Sequence, residues 1–139
     1  MTSPNLVPPQ YETLVADAGI LTLPSTPLST AALDLVQTAE SPAIANHSVR
    51  SFLFARLLAP HIGLVAGEDF DEELLYLACV LHDVGLSPLA KRNTRFEVDG
   101  ADRAAEFLSG QGLEAQKVDA VWEANALHTT AVIPRRWGQ

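Results

Sequence analysis

The sequence predicts an all-α domain, and three observations carry that prediction. Apolar residues recur at three- and four-residue intervals through most of the chain, the repeat of a helix with one buried face. No stretch of useful length alternates apolar and polar residues, as a half-buried strand would require. Prolines and glycines mostly punctuate the periodic stretches, as at Pro24, Pro42, Gly63, Gly67 and Gly110. The chain shows neither internal repeats nor low-complexity tracts, so one domain of 139 residues is expected.

Taken in order, residues 1–25 form an arm. It carries Pro4, Pro8 and Pro9, then a short helix over about 11–18 stopped by Gly19. Residues 26–139 form the helical domain. Leu28, Ala31, Ala32, Leu35, Val36 and Ala39 predict a helix over Pro27–Ala39, capped by Thr26 or Ser25 with Pro27 in its first turn. Ser41 and Pro42 open a second helix that ends near Pro60. It is apolar on nearly all sides and is therefore expected to be central. His47, Ser51, Phe54 and Leu58 share one stripe, so His47 is expected to point inward.

The acidic run Glu68–Glu73 suits the positive end of the next helix, with Asp69 and Glu72 spaced as a capping box. That helix carries Leu74, Leu75, Leu77, Ala78 and Leu81 and ends at His82-Asp83. Gly85 is expected just past its end, in a left-handed conformation. Leu86–Arg95 reads as a loop able to wall a pocket. A helix over about Val98–Leu108 is closed by Gly110 and Gly112. The last helix runs from about Glu114 to Thr129, with Val118, Val121, Trp122, Asn125 and His128 on one face.

Composition narrows the function. A net charge of -8 argues against a nucleic-acid surface. No apolar run approaches the roughly 18 residues of a membrane span. The N-terminus lacks the basic start and apolar core of a signal peptide, so a cytoplasmic protein is expected. Cys79 has no partner for a disulfide and reads as a small buried core residue.

The chemistry concentrates in His82 and Asp83. Imidazole and carboxylate side by side supply nitrogen and oxygen ligands suited to Zn, Fe, Mn, Ni or Co, among which the sequence does not choose. If the helix of His47 packs antiparallel to the one ending at His82, then His47, His82 and Asp83 converge on one divalent metal ion. Three protein ligands leave room for water or substrate, the mark of a catalytic site.

His47 in Asn46-His47-Ser48-Val49-Arg50, the pair in Leu81-His82-Asp83-Val84-Gly85 and the helical pattern between them resemble the HD-domain superfamily of metal-dependent hydrolases. Together with Arg95-Phe96-Glu97-Val98-Asp99-Gly100-Ala101 and Ala126-Leu127-His128-Thr129-Thr130, they resemble its cyanamide-hydratase-like branch. The resemblance covers about Pro27 to Ile133. It implies a helical bundle of about five to six helices and a metal held by a first histidine, the His-Asp pair and a later aspartate. His47, His82 and Asp83 match the first three. The last aspartate has no match, the domain being expected to lack its last helices, and Asp99, Asp102 and His128 stand as substitutes.

Asp83, Glu97 and His128 are thus the expected catalytic group. Asn46, Arg50, Lys91 and Arg95 are expected to meet substrate or support the ligands. The first functional reading is a hydrolase or hydratase in which metal-activated water adds to a small nitrile- or cyanamide-like substrate. A phosphohydrolase for nucleotides or phosphate esters would need Lys91, Arg92 or Arg95 on the pocket wall. A non-catalytic metal-binding or oligomerising module is the third reading. An apolar surface left where the missing helix would pack is expected to favour dimerisation, giving a homo-oligomer, or binding of another partner.

Overall fold

The structure, a computed structural model, describes residues 22–90 and 95–127. They form five α-helices and one 3-10 turn: α1 Pro27–Ala39, α2 Pro42–His61, α3 Glu72–Leu81, the turn Val84–Leu86, α4 Phe96–Gly110 and α5 Ala115–Ala126. The fold is all-α. Among the described residues the only β-type pairing is an isolated bridge between Ala66 and Phe70. No described helix is long and apolar enough to cross a membrane. The arm, its short helix and the expected end of the last helix at Thr129 lie outside the described residues.

Three helices begin on a side chain that takes up an otherwise unpaired N–H. Thr26 Oγ1 accepts from the Ser29 amide at 3.1 Å, Ser41 Oγ from Ile44 at 3.3 Å and Asp71 Oδ1 from Leu74 at 3.0 Å. Asp71, not Asp69, is therefore the cap of α3. Asp69 lies two residues too early: it accepts from the Val65 amide at 2.8 Å and closes the preceding loop.

α3 is the hub. It packs against all four other α-helices, and Tyr76, Leu77, Val80 and Leu81 are at most 1% exposed. They join Ala32 and Val36 of α1, Phe52 of α2, Leu108 of α4 and Val121 of α5 in one core. Phe52 meets Tyr76 edge to face at 4.9 Å, an arrangement that suits the ring quadrupoles.

The acidic start of α3 has tertiary work besides the helix dipole. Glu72 accepts from Arg56 Nε of α2 at 2.7 Å, Glu73 accepts from Thr26 Oγ1 at the start of α1 at 2.6 Å, and Asp71 lies 3.6 Å from Lys117 Nζ of α5. Arg56 also donates to the Thr22 carbonyl at 2.6 Å and stacks over the Phe52 ring. These pins set directions. The start of α1 meets the start of α3, so the two run alongside each other. The last third of α2 meets the start of α3, so these two run opposite. The end of α1, the start of α2 and the end of α3 consequently gather at one pole of the bundle.

Two expectations about faces are corrected. α2 lies at the edge rather than the centre, and its His47, Ser51, Phe54, Leu58 stripe does not face the core: Phe54 is 68% and Leu58 55% exposed. The buried stripe is Ala45, Ser48, Phe52 and Ala59. A helix apolar on nearly all sides offers several candidate inner faces, and the one with three small residues presents Phe52 to Tyr76.

Gly85 is not a left-handed cap; among the described residues the glycines with positive φ are Gly63, Gly67 and Gly112. It sits buried in the 3-10 turn because the backbone of α4 approaches it. A Cβ on Gly85 would lie 1.9 Å from the Phe96 carbonyl oxygen, and one on Gly100 would lie 2.6 Å from the Gly85 nitrogen. Both obstacles are backbone, which a side-chain rotation cannot relieve. Gly85→Ala and Gly100→Ala are each expected to cost about 1–3 kcal/mol or more in urea unfolding. Gly110→Ala, whose Cβ would meet nothing within 4 Å, should be near neutral. Equal effects at all three positions would refute the close-approach account.

Candidate metal centre

The site lies at the pole where the three helix ends meet. Because α3 is packed on all sides, its polar residues are confined to its ends, and the C-terminal end carries His82 and Asp83. His82 caps α3 and Asp83 starts the 3-10 turn, so neither side chain hangs from a long loop. The Gly85–Gly100 approach fixes that turn against α4 and thereby sets where Asp83 begins.

His82 Nδ1 lies 2.5 Å from the Cys79 carbonyl oxygen. A carbonyl only accepts, so Nδ1 carries the proton and Nε2 is left with its lone pair. That Nε2 lies 3.0 Å from Asp83 Oδ2. Two acceptors so close repel each other unless a cation, a proton or a metal, lies between them. The protonation balance of His82 expresses the same demand. Burial works to lower its pKa, but the Asp83 hydrogen bond, the Cys79 carbonyl and the charges of Asp83 and Glu40 together raise it.

α2 brings the third group. His47 Nε2 is 3.9 Å from Asp83 Oδ2, and the two imidazole centroids are 5.5 Å apart. One ligand atom from each of His47, His82 and Asp83 lies within 4.8 Å of the others. Metal–ligand bonds of about 2.0–2.2 Å place neighbouring ligand atoms roughly 3–3.5 Å apart, so the N, N, O set fits a divalent ion with little adjustment. His82 and Asp83 are mostly buried, whereas the His47 side chain is 58% exposed. The centre is therefore held from the inside and open on the His47 side.

The family model of the HD domain matches residues 44–135, which span all three candidate ligands and most of the chain. The chain belongs to the HD-domain family. HD domains bind divalent metals and are generally metal-dependent hydrolases, which agrees with the donor set found here. Among curated proteins and solved structures, none matches the chain.

The other sequence-derived candidates are placed as follows. Asn46 and Arg50 flank His47 on α2 and are exposed. Arg95 is exposed at the start of α4, and Glu97 is buried in the first turn of that helix. Asp99 is buried in the same helix, and exposed Asp102 accepts from Trp122 Nε1 at 2.8 Å. Neither aspartate belongs to the three-ligand group of the HD domain among the described residues. Lys91, Arg92 and His128 lie outside the described residues. His61 is exposed in the last turn of α2, and burial pushes the Cys79 thiol up to about 11, keeping it protonated.

One residue at this pole is missing from the sequence-derived set. Glu40, which ends α1, is 8% exposed, and both its carboxylate oxygens are buried without a hydrogen-bond partner. Its pKa rises to about 7, chiefly by burial and then through the charge of Asp83, with His82 opposing. A signal existed in the sequence: an acid at the C-terminal end of a helix sits against the dipole and has no local reason to be there.

The ligand assignment predicts that His82→Ala and Asp83→Ala abolish metal uptake while the far-ultraviolet circular dichroism stays helical. His61→Ala, at the far end of α2, should keep the metal content of the unaltered chain. Stoichiometric metal in a His82→Ala/Asp83→Ala double variant would sink the assignment.

A pH dependence also follows. Glu40 and His82 both bind protons more tightly folded than unfolded, so their contribution is present at low pH and lost as pH rises. For Glu40 the loss begins near 4.5 and ends near 7; for His82 it begins near 6.5 and continues above. The metal-free protein should therefore melt lower at about pH 8 than at about pH 5.5, and Glu40→Gln should flatten the difference. Chelator-treated thermal unfolding at the two pH values decides it.

Proposed function

We propose that this HD domain is a hydrolase or hydratase that adds water to a small uncharged electrophile of the nitrile or cyanamide type. The observation that supports this reading is the sign of the charge at the pole. Asp83 and the buried Glu40 carboxyl act on each other there, in a chain of net charge -8. Together those two carboxylates would offset the charge of a bound divalent cation, leaving little net positive charge to draw in a phosphate ester, whereas a neutral nitrile needs none.

A divalent cation held by His47, His82 and Asp83 would supply Lewis acidity and bring the pKa of a bound water towards about 7. The remaining work belongs to the protein. The Cys79 carbonyl holds His82 in the tautomer that turns its Nε2 to the centre. Asp83 Oδ2, near both histidine Nε2 atoms, keeps them aimed at one point. The exposed side of His47 leaves an approach for substrate. In the addition, the water oxygen bonds to the electrophilic carbon and a proton passes to the nitrogen. Glu97, buried at the start of α4, and His128 are the groups to which we assign that proton delivery. Asn46, Arg50, Lys91 and Arg95 are assigned to the substrate approach. A second copy of the chain is the proposed partner of the exposed Phe54, Leu58 and Ile62 on and just after α2.

Metal-loaded protein is expected to form urea from cyanamide or amide from small nitriles, and His82→Ala to lose that turnover by at least about a hundredfold. Release of inorganic phosphate from nucleotides in place of these products would overturn the substrate class and establish the phosphohydrolase reading. A metal-loaded chain inactive on both would leave the module without catalysis.

A further inference from the structure

The strongest unexplained feature of the molecule is the side chain of Glu40. Carboxylates are almost never buried without a partner, because the desolvation cost is large unless a hydrogen bond or a counter-charge offsets it. Both Glu40 oxygens are buried and neither has a hydrogen-bond partner. The residue gains nothing from its place at the end of α1, where the helix dipole opposes it. A group that costs stability and gives none to the fold is explained by a cation that the fold is built to receive.

The topology says which cation. The Thr26–Glu73 hydrogen bond ties the start of α1 to the start of α3, and the Arg56–Glu72 pair sets α2 antiparallel to α3. Glu40 at the end of α1 and His82 at the end of α3 are thereby brought to the same pole. There the charge of Glu40 acts on both His82 and Asp83. Only one residue, Ser41, separates Glu40 from the first turn of α2, and His47 is in the second turn. Glu40 does not belong to the group of His47, His82 and Asp83 whose ligand atoms lie within 4.8 Å of one another, so it stands beside that group rather than in it.

We propose that Glu40 is the fourth member of this metal centre and its second acid, its buried carboxylate compensating the charge of the bound cation. It acts as a supporting carboxylate, through a water or by a small side-chain rotation, and it fills the acidic role that neither Asp99 nor Asp102 takes among the described residues. The proposal rests on the metal centre of His47, His82 and Asp83.

The test uses the full chain, stripped with chelator and titrated with Mn2+ and with Zn2+ against a chromophoric competitor. Glu40→Gln keeps the shape and removes the charge. Its metal affinity is expected to fall about 10- to 100-fold, while its metal-free form melts no lower than the unaltered metal-free chain at pH 8. Glu40→Asp should recover part of the affinity. Asp34→Asn, an exposed acid on the same helix, should leave affinity within about twofold.

Unchanged affinity in Glu40→Gln, with metal still bound by the unaltered chain, would overturn the role of Glu40 alone. An equal loss in Asp34→Asn would do the same, since net charge would then explain the effect. A large drop in the metal-free melting temperature of Glu40→Gln would show a structural carboxylate instead. No metal bound by the unaltered chain would overturn the centre and the role of Glu40 with it.

Discussion

The burial of α3 is the constraint on which the rest depends. A ten-residue helix with Tyr76, Leu77, Val80 and Leu81 almost wholly removed from water has no face left for polar groups. Its chemistry is displaced to its two ends. At the N-terminus three consecutive acids reach α5, α2 and α1 in turn and fix how those helices lie. At the C-terminus the same rigidity holds His82 and Asp83 in place. Architecture and site are thus opposite ends of one buried rod.

The centre is electrostatically unfinished in the bare polypeptide. A lone pair on His82 Nε2 faces a carboxylate oxygen, and a further carboxyl is buried nearby without hydrogen bonds. Protons partly meet this need, which is why both Glu40 and His82 hold them more tightly than usual. A divalent ion meets it better, because one charge centre can satisfy several acceptors at once. Protons and metal therefore compete for the same arrangement.

Much of this was legible in the residues. Helix α1 runs from Pro27 to Ala39 as its spacing indicates, and Thr26 and Ser41 cap where small hydroxyl residues precede proline. His82-Asp83 after an apolar run was legible for the reason given above: a fully packed helix can be polar only at its end. The buried face of α2 was not legible, because periodicity selects a face only when the other faces are polar. The place of Gly85 was hidden because its partner, Gly100, lies on another helix, and no local pattern shows a backbone-to-backbone approach. Glu40 escaped because a single acid between Ala39 and Ser41 looks solvated until the fold closes over it.

The three candidate ligands are not equally anchored in the molecule. His82 and Asp83 are successive residues on one stretch of backbone, clamped between a buried helix and a glycine contact that cannot slip. His47 rides on an edge helix with much of its side chain in water. The centre thus has a fixed jaw and a movable one. An ion held there would have its natural route of exchange with solvent through release of His47 first, with the remaining pair keeping hold. A change that loosens the edge helix would accordingly alter how fast the ion comes and goes more than how the buried pair is shaped to receive it.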